Sequence, residues 1–443
     1  MNFEKYIDDI IQLIEVNINR LNNMDFPTNI AYHISSVNYF DLTFDEYQKL
    51  NSIIDEIYVE NELSNKFPKN FIFDKLVSEV IVKSYDLTST TYDIKLNLKQ
   101  RFQRFMEILN EEIKDYAYFI PISGIYVEEK IILNSISIYP FQDFKNEILK
   151  YFDDNKDKFD EEEYFEYLIE ELNRLNEYCF VKLTVNGTQE TSRDIALNKV
   201  NELLSIFSLY KPHYCNGFGI MGNVLPLNSQ ITNYVFDSND KLKILNNVSV
   251  RNRFFNLSES LNHMKGYNLD YLINLLNKEE FSYVENKLFN AIGWYYQSVK
   301  TEFIFKSDIT EVSMNSGVYH EHYNYFKLGI KLINLISSLE SLLIFNKDTS
   351  LDTRKKRFNN VVNYKCDDFL DCSEYLNEFY KLRHDIVHSN KKFNLLKFNL
   401  EKNTNLINMF IIKFIEIKFD FDNSYDKSLD SKDDLVRLYD RYL

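Results

Sequence analysis

Apolar residues recur at helical spacing from the start of the chain: Phe3, Ile7, Ile10, Ile11, Ile14 and Ile18 fall on one stripe and predict an amphipathic helix over residues 1–20. Thr43-Phe44-Asp45-Glu46 has the spacing of a capping box and predicts a second helix start. Phe71-Ile72-Phe73 and Val80-Ile81-Val82 fit either strands or short helical pieces. Between Tyr116 and Pro140, the run Gly124 to Val127 and the run Lys130 to Ile138 read as a hairpin-like pair of strands. Phe152 to Leu175 is a strongly acidic helical stretch, and Cys179 to Val185 is the clearest strand, stopped by Asn186-Gly187. The 3.6-residue period returns between Ser192 and Tyr210 through Ile195, Val200, Leu203, Leu204 and Phe207. Residues 211–265 hold the glycine cluster and read as loops and strands. Strand, turn and helix in this order predict an α+β region over 1–265.

From about Tyr267 the pattern is helical throughout. A long apolar helix is predicted from Tyr323 to Phe345, with Phe326, Leu332, Ile333, Ile336, Leu339 and Leu343 on one stripe and Glu340 inside it. A further helix from about Glu374 aligns Tyr375, Leu376, Phe379, Leu382, Ile386 and Val387, with Arg383 inside that stripe. A guanidinium stays protonated and loses heavily on desolvation, so Arg383 needs a carboxylate, a phosphate or a wet cleft. Two readings follow: a buried Arg383–Glu340 ion pair that fixes helix register, or an arginine kept for an anionic ligand. His384 stands beside it and His388 lies five residues on, about 140° round a continuous helix, just before Ser389-Asn390, which suit a helix end. The fold class is therefore an α+β region (1–265) followed by an all-α bundle (266–443), mainly α overall.

Arg383-His384-Asp385-Ile386-Val387-His388 resembles the R-x4-H signature of HEPN domains. With Ala291-Ile292-Gly293-Trp294-Tyr295 on a first helix and Ser338-Leu339-Glu340-Ser341-Leu342-Leu343 closing a second, the segment from Tyr267 onward is similar to the Apea-like group of that family. The resemblance implies a helical bundle that dimerises so that both motifs line one cleft, metal-independent endoribonuclease activity, and a place in phage defence or toxin systems. It assigns Arg383 and His388 as the catalytic pair, with His384 in the polar position after the arginine. Glu340 is expected to orient Arg383. An RNA substrate, a homodimer and a phage-derived or cellular trigger are the implied partners. The alternative is a non-catalytic helical module that binds a nucleotide or a protein and uses the motif as a dimer staple.

Composition adjusts this picture in three ways. Nine Gly and six Pro in 443 residues favour long helices, and 45% hydrophobic content supports packed cores. The net charge of −16 speaks against coating nucleic acid by bulk electrostatics, yet residues 281–443 carry 23 Lys and Arg against 23 Asp and Glu, so the whole excess lies in 1–280. Within the neutral part, Arg354-Lys355-Lys356-Arg357 and Lys391-Lys392 are candidates for a phosphate-tracking rim, or plain solvated surface.

No cofactor or metal is expected. Gly217-Phe218-Gly219-Ile220-Met221-Gly222 matches a dinucleotide fingerprint only in letters, since neither a strand before it nor a helix after it is indicated. His320-Glu321-His322 has no third ligand at helical spacing and reads as a helix start. Cys179, Cys215, Cys366 and Cys372 show no metal or disulfide spacing and read as reduced thiols of a cytoplasmic protein. The N-terminus lacks the apolar core of a signal peptide, and no 18-residue apolar stretch predicts a membrane span.

Overall fold

The computed structural model describes residues 4–23, 30–34, 40–60, 63, 67–84, 89–111, 113–154, 172–173, 175–176, 178–210, 219–220, 230–236, 242–249, 255–278, 280–300, 319–345, 349–388, 400–424 and 428–439. Contacts divide the chain into two compact units, Met1–Tyr118 with Thr184–Ala196, and Phe119–Leu183 with Leu197–Leu443.

In the first unit, α1 (Glu4–Asn23) buries Ile7, Ile10, Ile11, Ile14 and Ile18, the stripe read from the sequence. The hairpin β1 (Ile30–Ile34) and β2 (Phe40–Thr43) precedes α2 (Phe44–Glu60), where the Glu46 carboxylate accepts the Thr43 N–H at 2.9 Å. The short apolar runs around Ile72 and Ile81 prove helical: α3 (Lys69–Lys75) passes into a π-helical turn over Leu76–Ile81. Buried Ile72, Phe73, Leu76, Val77, Val80 and Ile81 keep one helical period across the junction, which decides against strands. With α4 (Thr91–Glu111) these helices enclose a single core. Buried Asn17 ties α1 to β2, donating to the Asp41 carbonyl at 2.6 Å and accepting its N–H at 3.0 Å. Both polar faces of the amide are thereby satisfied inside the core.

The second unit contains a five-stranded sheet in the order β5-β6-β7-β3-β8, built from β3 (Lys114–Ser123), β5 (Ile131–Leu133), β6 (Ile136–Tyr139), β7 (Cys179–Gly187) and β8 (Gly219–Ile220); the partition cuts through β3 and β7. The expected pairing of the two runs near Gly124 is corrected. The second run is itself a hairpin, because Asn134 takes a left-handed conformation (φ 55°) and turns the chain between β5 and β6. The first run forms β4 (Ile125–Tyr126), which pairs in parallel with β11 (Phe255–Asn256). On the sheet, α5 (Phe141–Asp154) stacks Phe144 on Phe180 with ring centroids 3.7 Å apart. The helix α6 (Gln189–Tyr210) follows β7 as expected, and β9 (Gln230–Phe236) and β10 (Leu242–Ser249) form a separate hairpin. Most of the acidic stretch from Phe152 to Leu175 and of the glycine cluster lies outside the described residues.

The helical part comprises α7 (Leu257–Lys265), α8 (Leu269–Leu276), α9 (Tyr283–Lys300), α10 (Tyr319–Leu343), α11 (Leu351–Val362), α12 (Ser373–His388), α13 (Leu400–Ser424) and α14 (Lys432–Arg437). The described part of the chain is thus mainly helical with a small sheet. α9 and α10 pack along their length, and the buried Ser338 hydroxyl donates to the Ala291 carbonyl at 2.7 Å. α13 lies against α11 through stacked Phe358 and Phe410, 4.8 Å apart.

A knot of charge closes the bundle. Fully buried Lys418 on α13 reaches Asp422 at 3.0 Å, Asp430 at 3.3 Å, the Leu429 carbonyl at 3.0 Å and Glu285 of α9 at 3.7 Å. A buried ammonium is tolerated only with such partners.

The domain boundary expected at 265/266 falls inside the second unit. Hydrogen bonds from Asn134 to Asn274 of α8 and from Ser135 to Asn277, just after it, join residues on its two sides. Among the described residues, no helix is long and apolar enough to cross a membrane.

Candidate functional site

The helix carrying the arginine–histidine motif starts from a rigid turn. Asn359 of α11, nearly buried, accepts the Cys372 N–H at 3.0 Å and donates to Asp371 at 2.9 Å and Ser373 at 3.1 Å. The Asp371 carboxylate is held below its usual range by the Ser373 hydroxyl and N–H and by Asn359. From there α12 packs on α10, burying Leu376 and Phe379 and half-burying Tyr375, Tyr380 and Leu382.

Arg383 does not stay within that buried stripe. Its side chain is 45% exposed, and its Nη2 lies 4.0 Å from the Glu340 Oε2, beyond hydrogen-bonding distance. The buried Arg383–Glu340 pair expected from the two stripes is therefore corrected. Glu340 is itself 20% exposed, at the edge of the α10 stripe, where Leu332, Leu335, Ile336, Leu339, Leu342 and Leu343 are buried and Ile333 is exposed. Its close partner is Arg354 of α11, whose Nη1 donates to Glu340 Oε1 at 3.1 Å. Arg354 is fixed further: its Nε donates to the Thr349 carbonyl at 3.2 Å, and its guanidinium lies 5.2 Å from the Tyr380 ring centre. The Tyr380 hydroxyl is pushed up to about 12 by burial and by the nearby Glu340 charge.

His384 is exposed beside Arg383. α12 remains helical through its last residue, His388, so Arg383 and His388 stand about 140° apart and roughly 7.5 Å apart along the axis. The two backbone positions therefore lie on different faces of the helix.

The basic run on α11 divides by face. Arg357 donates from Nη1 to the Leu343 carbonyl at 2.6 Å, with its guanidinium 4.3 Å from the Phe345 ring centre and 5.3 Å from that of Tyr439. Lys355 pairs with Asp352 at 3.1 Å, and Lys356 is exposed. Arg354 and Arg357 thus engage groups of the bundle itself, on a face of α11 that continues into buried Phe358 and Val361. Lys391 and Lys392 lie outside the described residues. The backbone of His320-Glu321-His322 lies in the first turns of α10.

No family model, curated protein or solved structure matches this chain. Sequence spacing does not single out Arg354 as a partner of Glu340, since Arg354 stands in a basic run that reads equally well as solvated surface. The available signal was helical phase, as Arg354 shares a face with Phe358 and Val361. What the cluster offers chemically is one carboxylate between two guanidiniums, with the outer guanidinium facing solvent next to an imidazole.

Proposed function

We propose that the chain is a HEPN-type endoribonuclease that works as a homodimer without a metal ion, in a cytoplasmic defence or toxin role with an RNA substrate and a phage-derived or cellular trigger. The observation that carries this reading is the placement of Arg383: it is half-exposed, outside hydrogen-bonding distance of Glu340, and next to exposed His384. A guanidinium so placed can accept a phosphodiester at little desolvation cost.

In this reading a histidine removes the proton of a ribose 2′-OH, and the 2′-oxygen attacks the adjacent phosphorus. Arg383 stabilises the charge on the phosphorane oxygens. The bond from phosphorus to the 5′-oxygen breaks, and that oxygen takes a proton from a second histidine. The products are a 2′,3′-cyclic phosphate and a 5′-hydroxyl. Because Arg383 and His388 hold positions about 140° apart on one helix, we draw His388 from a second copy, to act with His384 of the chain that supplies Arg383, and the site is composite.

The decisive experiment is incubation of purified protein with total RNA in the presence of a chelator, with end-group analysis of fragments. Cyclic-phosphate ends that vanish in His388→Ala support the reading; intact RNA at all protein concentrations overturns it.

A second reading draws on a different observation: Arg354 and Arg357 are both engaged by groups of the bundle itself, which leaves two of the four basic groups of that run already paired. Under that reading the module binds a nucleotide or a protein and cuts nothing. Retention of a nucleotide or protein ligand by a protein that leaves RNA intact would favour it.

A further inference from the structure

Two guanidiniums meet one carboxylate on the outer side of α10, and they are held very differently. Arg354 has a hydrogen bond to Glu340 Oε1 at 3.1 Å, another to the Thr349 carbonyl at 3.2 Å, and the Tyr380 ring beside it. Among the described residues, the ion pair of Arg383 is the 4.0 Å approach to Glu340 Oε2. Arg354 and Glu340 are each 20% exposed and Arg383 is 45% exposed. The three groups sum to one positive charge, and the surplus falls on the most exposed member.

We infer that Arg354 is a positioning residue for an anion site whose contact group is Arg383, and that it acts by engaging Glu340 so that Arg383 stays turned outward for a phosphodiester. The inference rests on the function proposed above and names how that site is kept open. A carboxylate with both oxygens available takes an arginine fork in a two-point grip. Glu340 cannot grip Arg383 in this way while Arg354 occupies Oε1. Without Arg354, Oε1 would be released as well, and Arg383 Nη2 already lies 4.0 Å from Oε2, close enough for a small rotamer change to complete the fork. Glu340 would then neutralise the group meant for phosphate, and the local charge would fall from plus one to zero. Arg354 itself faces Glu340, Thr349 and Tyr380, so it has no part in touching the ligand.

The test uses a short single-stranded oligoribonucleotide with 2′-O-methyl groups, which blocks cleavage, and reads binding by fluorescence anisotropy. Arg383→Ala should weaken binding roughly ten- to a hundredfold, the range for loss of a hydrogen bond to a charged group. Arg354→Ala should weaken it by a similar factor, and Glu340→Gln introduced into that background should restore it, because the competing charge is gone. A merely structural role for Arg354, or direct contact with the ligand, would give no such rescue. Should Arg354→Ala fail to fold, Arg354→Gln keeps the side-chain bulk and is scored the same way, alone and with Glu340→Gln. Loss on Arg383→Ala with wild-type binding by the Arg354 variants, or loss without rescue, overturns the inference and leaves the proposed function standing. Wild-type binding by Arg383→Ala removes Arg383 from the ligand and overturns both.

Discussion

Glu340 receives a hydrogen bond from Arg354 at 3.1 Å and leaves Arg383 at 4.0 Å, so the arginine of the motif is not the one that neutralises the carboxylate. Arg383→Ala should therefore change stability little. Exposed ion pairs contribute about 0–1 kcal/mol, and Glu340 keeps its other partner. Thermal unfolding of this variant should superimpose on wild type to within a few degrees, whereas RNA cleavage should be lost. A drop in stability of the size expected for breaking a buried pair would show that Arg383 is packed inside.

Lys418 is the opposite case. It is fully buried among Asp422, Asp430 and Glu285, and Lys418→Met takes the shared cation from Asp422 and Asp430, while Glu285 keeps Lys278 at 2.6 Å. A loss of roughly 3–5 kcal/mol is expected in urea denaturation. A loss under about 1 kcal/mol would mean that the carboxylates reach water or other cations.

The same knot sets a pH dependence. Burial pushes the Asp430 carboxyl up, but the Ser428 hydroxyl and the Lys418 ammonium outweigh it and hold the group below its usual range. A depressed carboxylate contributes stability that is complete above its unfolded value of about 3.9 and is lost as pH falls through the folded value. Stability should fall below about pH 4, and Asp430→Asn should flatten that fall. An unchanged acid slope in the variant would rule Asp430 out as a contributor.

Complementation examines the composite site. Arg383→Ala mixed with His388→Ala should regain part of the cleavage that each lacks alone, because some mixed dimers rebuild one intact site. Specific activity should also fall on dilution below the dimer dissociation constant. Constant specific activity down to monomer, with no regain on mixing, would mean that each chain builds its own site.

Asn359 fixes the turn from which α12 departs, so Asn359→Ala should cost about 1–3 kcal/mol through the unsatisfied Cys372 N–H. Hydrogen exchange over residues 371–376 should quicken before the rest of α12 responds. Uniform protection in the variant would place the anchoring of α12 elsewhere.

What the sequence revealed followed the range of the interactions concerned. The stripe Ile7, Ile10, Ile11, Ile14 and Ile18 is a local pattern, and α1 buries it as read. So too with α10 and α12, found within a few residues of their expected limits. The turn at Asn134 was passed over because the surrounding run is apolar enough for one long strand, and a left-handed Asn leaves little trace among isoleucines. The exposure of the Arg383–Glu340 pair escapes the sequence for a different reason. Helical phase places Arg383 on a stripe but does not say where the neighbouring helix stops covering it, and that edge is set by tertiary packing.

The parallel pairing of β4 with β11 joins Ile125 to Phe255 across roughly 130 residues of chain. During synthesis at about 5–20 residues per second, β4 would wait roughly 6–26 s for its partner strand to be made. For that interval its backbone donors and acceptors remain an open template on the nascent chain, and a neighbouring nascent chain presents the same template. The vulnerable moment of this fold thus comes midway through translation, and pausing ahead of codon 255 should raise the yield of aggregate more than pausing after codon 277, once β11 and α8 have both been made.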